Sequence, residues 1–174
     1  MSEFEQRLAR LEAIEAIKQL KSRYFFSCDN KQPDIVRSCF VDGNLPIDYG
    51  RVGSFSNADD MVAVFTQYAC EAHIVEMHHA QNPQIFIHSA EQASGTWGLY
   101  YYMIDTRRKE VTQLGGFYED EYLRVEGEWK ISATRYRVTS TQFMDLSEGM
   151  AKVMFAGREA SADIDDPSKQ AAQP

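Results

Sequence analysis

The sequence predicts an α+β fold in which N-terminal helices pack on a strongly curved antiparallel or mixed sheet that encloses a pocket. Three observations predict it. Apolar residues recur at three-to-four spacing up to about residue 69, the period changes to two from about residue 73, and the β-rich runs that follow are long and joined by short polar turns. Helices followed by a run of consecutive strands give an α+β arrangement, and strands of this length twist and curl, leaving a concave face.

The first helix follows from Leu8, Leu11, Ile14, Ile17, Leu20, Tyr24, Phe25 and Cys28, a single apolar stripe that ends near Asp29 and Asn30. Pro33 suits a first helical turn, and Ile35, Val36, Cys39 and Phe40 give a short second helix closed by Asp42 and Gly43. Leu45 to Tyr49 reads as a first strand. Ser56 or Asn57 caps a third helix with Asp59 and Asp60 in its first turn, where the helix dipole favours acid, and Val62, Phe65, Tyr68 and Ala69 on its buried face. Long strands are expected over residues 73–88, 93–106, 111–125 and 129–140, the last pair joined by a tight turn at Gly127, with Trp129 beyond it as a core anchor. Phe143, Leu146, Met150, Val153, Met154 and Phe155 suggest a final helix from Gln142. Residues 1–160 form one domain, and residues 161–174, small and polar, read as a disordered tail.

Composition narrows the function. A chain of 174 residues buries roughly two thirds of its unfolded surface and needs no staples. Nine tyrosines and ten phenylalanines are a rich supply for lining a cavity. The formal charge of -8, without any Lys/Arg run, argues against nucleic acid and anionic membranes, which require a basic footprint. A neutral or cationic small molecule is the easier partner to accommodate; no run approaches the roughly 18 apolar residues of a membrane span, and the opening residues are amphipathic and charged rather than a leader, so a soluble, cytoplasmic protein is expected. Cys28, Cys39 and Cys70 lack metal or disulfide spacing and read as reduced thiols, and no cluster offers three metal ligands.

Acid–base chemistry at neutral pH favours histidine, and there are four: His73, His78, His79 and His88. His78 and His79 are neighbours on a strand, so only one can face the pocket. A histidine base requires a carboxylate to fix its tautomer, and Asp29 and Asp48 are the candidates. Tyr24 and Tyr49 could supply hydroxyl donors.

The segments SRYFFSCDNKQPDIVRSCF, PIDYG, HHAQNPQI, SGTWGLYYY and GGFYEDEYLRVEGEWKISATRYRV, in this order from Arg7 to Thr139, resemble the SnoaL-like branch of the nuclear transport factor two superfamily. Scytalone dehydratase and the hexachlorocyclohexane dehydrochlorinase carry the nearest resemblance. It implies a cone-shaped α+β barrel and a cofactor-independent lyase, dehydratase-like, in which Asp29 pairs with His78, the carbon base, and Tyr49 helps hold a water against a carbonyl. Tyr24 is similar to a tyrosine of bile-acid dehydratases. The chain departs from scytalone dehydratase at Cys28, Trp97 and Tyr118, where that enzyme has tyrosine, histidine and asparagine, which implies a larger, more apolar, cyclic or polycyclic substrate.

Strand alternation and the resemblance together place Trp97, Leu99, Tyr101, Phe117, Tyr118 and Arg135 on the pocket wall. The resemblance also implies a homodimer or homotrimer. An isomerase or cyclase using the same dyad, and a non-catalytic binding or assembly module, are the alternative readings.

Overall fold

Helix α1 (Glu3–Asp29) begins with a capping box: the Ser2 hydroxyl accepts the Glu5 N–H, and the Glu5 carboxylate accepts the Ser2 N–H at 2.6 Å. The structure, a computed structural model, describes residues 2–149. The apolar stripe of α1 is buried only in its second half, through Ile17, Leu20, Tyr24, Phe25 and Cys28; Leu8 and Leu11 are exposed, because α1 begins before the sheet it packs on.

The end of α1 positions the site. Lys31 adopts a left-handed φ of 56°, its N–H bonds the Cys28 carbonyl, and the Gln32 N–H reaches back to Ser27. This is the double closure that usually carries glycine at the left-handed position. It leaves Asp29 as the last helical residue, its carboxylate beside the sheet.

Helix α2 (Pro33–Ser38) has Pro33 in its first turn and is shorter than expected, since Phe40 leaves it to bridge Ile131. Strand β1 is only Ile47–Asp48, and a second short strand, β2 (Ser54–Phe55), pairs antiparallel with it across a 3-10 turn at Gly50–Val52. Helix α3 (Ala58–Tyr68) is capped by the Asn57 side chain, which accepts the Asp60 N–H at 2.8 Å.

Four long strands follow: β3 (Ile74–Ile87), β4 (Gln92–Asp105), β5 (Glu110–Val125) and β6 (Glu128–Asp145). The sheet order is β2-β1-β6-β5-β4-β3, antiparallel except where β1 runs parallel to β6. Register shifts at Gln81/Gln84, Gly115/Gly116 and Glu121/Tyr122 bend the strands, so the sheet curls into an open cone. Pro83 sits at the first bulge, on the edge strand, where no ladder donor is lost. At Gly116 a side chain would collide with the Arg137 carbonyl and the Tyr136 ring, which lies across it.

The helix expected from Gln142 is overturned in its first part. Gln142 and Phe143 pair with Gln113 and Thr112, because β5 begins at Glu110 and offers β6 a ladder as far as Asp145. Met150 to Phe155 and the tail at 161–174 lie outside the described residues. Among the described residues, no helix is long and apolar enough to cross a membrane.

Candidate active site

The concave face is occupied at its narrow end by packed side chains and at its wide end by a cavity of about 440 Å³ beneath α1 and α3. On β3 the inward positions are even-numbered, so Ile74, Glu76 and His78 line the cavity while His79 faces outward toward Tyr100.

His78 is held from three directions. Its ring Nδ1 lies 2.6 Å from Asp29 Oδ1, and its backbone N–H donates to both Asp29 oxygens at 3.2 and 3.1 Å. Phe25 stacks on the ring at 5.1 Å, and Tyr101 meets it edge-on at 4.7 Å. A carboxylate only accepts, so Nδ1 carries the hydrogen and Nε2 is left with the basic lone pair. Asp29 stands behind His78, outside the cavity lining. Asp48, the other candidate carboxylate, accepts the Gly50 N–H and lies 3.7 Å from Arg135, with no contact to His78. His73 lies near Glu71, and His88 bonds Ser94.

Opposite His78 stands a wall of tyrosines. The Tyr24 and Tyr49 hydroxyls share a hydrogen bond of 2.9 Å, and both line the cavity. One of the two uses its hydrogen on the other; the second hydrogen has the Cys28 thiol and the Thr134 hydroxyl within reach as well as any ligand oxygen. Tyr118 packs edge-on against Tyr49 and Phe25 and stacks on Tyr136 at 4.8 Å. Burial pushes the hydroxyls of Tyr24, Tyr49, Tyr101, Tyr118 and Tyr122 well above their ordinary value near 10, so all stay protonated at neutral pH. A group whose proton is held more tightly in the folded state stabilises the fold below its unfolded value and loses that stabilisation as pH rises through the folded one. The share of tyrosinate absorbance that belongs to these five is therefore expected to appear only together with loss of circular dichroism at alkaline pH; their smooth ionisation in a folded protein would contradict their burial.

Tyr136 also lines the cavity, but its buried hydroxyl has no partner among the described residues. Tyr136→Phe is expected to stabilise the protein by about 1 kcal/mol, read as the denaturant midpoint, and no gain would mean the hydroxyl is solvated. Cys28 lines the cavity as a neutral thiol, its ionisation opposed chiefly by burial.

Three expected wall residues are elsewhere. Phe117 and Arg135 occupy the opposite strand parity from Tyr118 and Tyr136, so they lie on the outer face, Phe117 under the Arg137 guanidinium and Arg135 near Asp48. Trp97 faces inward but in the narrow end, where its indole N–H donates to the Tyr122 hydroxyl at 2.8 Å. Leu99, Tyr101 and Tyr118 do line the cavity.

Sequence reasoning missed two ion pairs. Lys21 and Asp120, both fully buried, meet at 2.7 Å under the cavity floor; Asp120 also accepts from Tyr122 and Thr134, and the Lys21 ammonium lies 3.9 Å from the centre of the Tyr118 ring. Burial pulls the Lys21 pKa down and Asp120 opposes it. Lys31 and Glu76 meet at 2.7 Å, and Glu76, on the cavity wall, also accepts the Tyr101 hydroxyl at 2.8 Å. The signals were present: Lys21 interrupts the apolar stripe of α1, and Glu76 and Asp120 share the parity of His78 and Tyr118.

Comparison with known proteins agrees with this architecture. The family model of the SnoaL-like domain matches residues 9–135. Among solved structures, a scytalone dehydratase-like protein of Novosphingobium aromaticivorans superposes with a TM-score of 0.71 at 21% identity, over 88% of this chain and 97% of its own. Hexachlorocyclohexane dehydrochlorinase LinA type 2 superposes at 0.74 and 19%, over 86% and 97%. The type 3 enzyme from Novosphingobium barchaimii superposes at 0.72 and 19%, over 84% and 98%. The curled sheet under three helices and the match over most of the length place this chain in the SnoaL-like domain family.

Proposed function

We propose that the protein is a cofactor-independent, dehydratase-like lyase that removes a proton from carbon of an apolar cyclic or polycyclic small molecule. The observation that carries this reading is the 2.6 Å contact between Asp29 and the Nδ1 of a histidine whose ring lines an apolar cavity. The structural neighbours, a scytalone dehydratase-like protein and hexachlorocyclohexane dehydrochlorinases, support the reaction class.

In this mechanism His78 Nε2 takes the proton from the carbon next to a carbonyl. The C–H electron pair moves into the new carbon–carbon double bond of an enolate, whose oxygen accepts the second hydrogen of the Tyr24–Tyr49 pair. Asp29 stabilises the imidazolium it orients. The enolate re-forms its carbonyl and expels the β-hydroxyl, which leaves as water with the proton returned by His78. Phe25, Tyr101 and Leu99 keep water from the base and strengthen each of these bonds.

The test is a panel of bicyclic β-hydroxyketones followed by the ultraviolet absorbance of the conjugated enone. The wild type is expected to form enone from at least one member, and His78→Ala from none. Equal rates in the two proteins would remove His78 from the reaction.

A further inference from the structure

Glu76 and Tyr101 line one corner of the cavity, with Lys31 outside the lining, paired to Glu76; neither the carboxylate nor the Tyr101 hydroxyl takes part in the proton transfer just described, and the hydrogen bonds here are ordered in one sense. Glu76 lies two residues before His78 on the same face of β3, about 7 Å along the strand. Its side chain is 6% exposed, and that of Lys31 10%. Glu76 Oε1 accepts from Lys31 at 2.7 Å and Oε2 from Tyr101 at 2.8 Å, and a carboxylate has about four acceptor sites, so capacity remains on both oxygens. The Tyr101 hydroxyl donates its only hydrogen to Glu76 and is left with lone pairs. Lys31 is not among the lining residues, so what Glu76 and Tyr101 present to the cavity is acceptors.

The lining nearby is apolar at Ile74, Leu99, Met103 and Leu114, with the weakly polar Cys28 thiol and the His78 ring as the other polar groups beside Glu76. Lys31 cancels the charge of Glu76. A ligand ammonium would meet an already neutral pair, and a ligand carboxylate would meet a second carboxylate and a hydroxyl with no hydrogen to give. A neutral hydroxyl fits, donating to Glu76 or Tyr101. Lys31 holds this arrangement from a left-handed backbone position that glycine would occupy without strain.

We propose that Glu76, supported by Lys31 and Tyr101, is a specificity-determining residue that binds a neutral hydroxyl group on the ring system of the ligand, remote from the carbon that loses its proton to His78. The inference rests on the cavity being the ligand site, and it concerns which ring substituent Glu76 selects: a free hydroxyl rather than its methyl ether.

The test is calorimetric binding of 6-hydroxy-1-tetralone and of its methyl ether, 6-methoxy-1-tetralone, to the full chain. The wild type is expected to prefer the free hydroxyl by about tenfold, the scale of a hydrogen bond to a charged acceptor. Lys31→Met/Glu76→Leu, which removes both charges together so that neither is left buried alone, is expected to bring the ratio near one. Tyr101→Phe, a milder change, is expected to reduce it by part. A wild-type ratio near one, failure of the hydroxyketone to bind, or a ratio unchanged in both variants overturns the proposal. His78→Ala separates this from the reaction: it is expected to keep the full ratio while losing turnover. A ratio that behaves as stated in a protein that catalyses nothing would sink the lyase reading and leave Glu76 as the hydroxyl site.

Discussion

Asp29→Asn is expected to lower turnover by about 10³- to 10⁴-fold while leaving the protein folded, the scale seen when the carboxylate behind a catalytic imidazole becomes an amide. The Asp29 carboxylate accepts from the ring Nδ1 of His78 and from its backbone N–H. Asparagine keeps one acceptor but presents an NH₂ group as well. The ring is then free to put its hydrogen on Nε2, the atom that has to receive the substrate proton, and the imidazolium loses its counter-charge. Binding of a ketone ligand is expected to change by less than about threefold, because Asp29 lies behind the ring and outside the cavity lining. Turnover kinetics paired with calorimetric binding distinguish the two effects. A loss of binding equal to the loss of turnover would mean that Asp29 holds the ligand instead.

The second large effect concerns stability. Lys21→Met is expected to destabilise the fold by about 3–5 kcal/mol, because it leaves Asp120 as an uncompensated charge in the core. In a chain of this length that corresponds to a fall in Tm of roughly 10 °C. Lys21→Met/Asp120→Asn removes both charges, and the asparagine oxygen can still accept from Thr134. More than half of the lost stability is expected to return, since replacing both partners of a buried pair is often close to neutral. Thermal unfolding of the single and double variants gives the coupling directly, and an additive result would mean that the pair contributes little. The Tyr118 ring lies between this pair and the cavity, so the single variant is also expected to loosen the cavity floor.

The helices and long strands were legible because their periods differ and their caps are explicit. The end of α1 at Asp29, the cap at Asn57 and the turn at Gly127 all follow from residue chemistry. The end of β6 was not legible, because the residues from Gln142 suit either structure locally and it is the length of β5 that decides. In the site, Asp29 and His78 came into view through family resemblance, and alternation put His79 on the other face. Alternation applied strictly would also have rejected Phe117, the neighbour of Tyr118, and would have selected Glu76. Trp97 could not be assigned by parity, because it shares the inner face with the lining residues and only the taper of the cone separates them. The Lys21–Asp120 pair spans 99 positions, and nothing local announces that two charges so far apart will cancel.

The most direct test of the account is deuterium exchange at the carbon next to the carbonyl of 1-tetralone in D₂O, followed by proton NMR with wild type and His78→Ala at matched ligand occupancy. The ketone has no group to expel, so the measurement isolates the proton transfer assigned to His78. Exchange with the wild type well above buffer, reduced to the buffer rate by the substitution, is the predicted result. A bound ketone that exchanges no faster than in buffer, or equally fast with both proteins, would contradict a carbon base at His78.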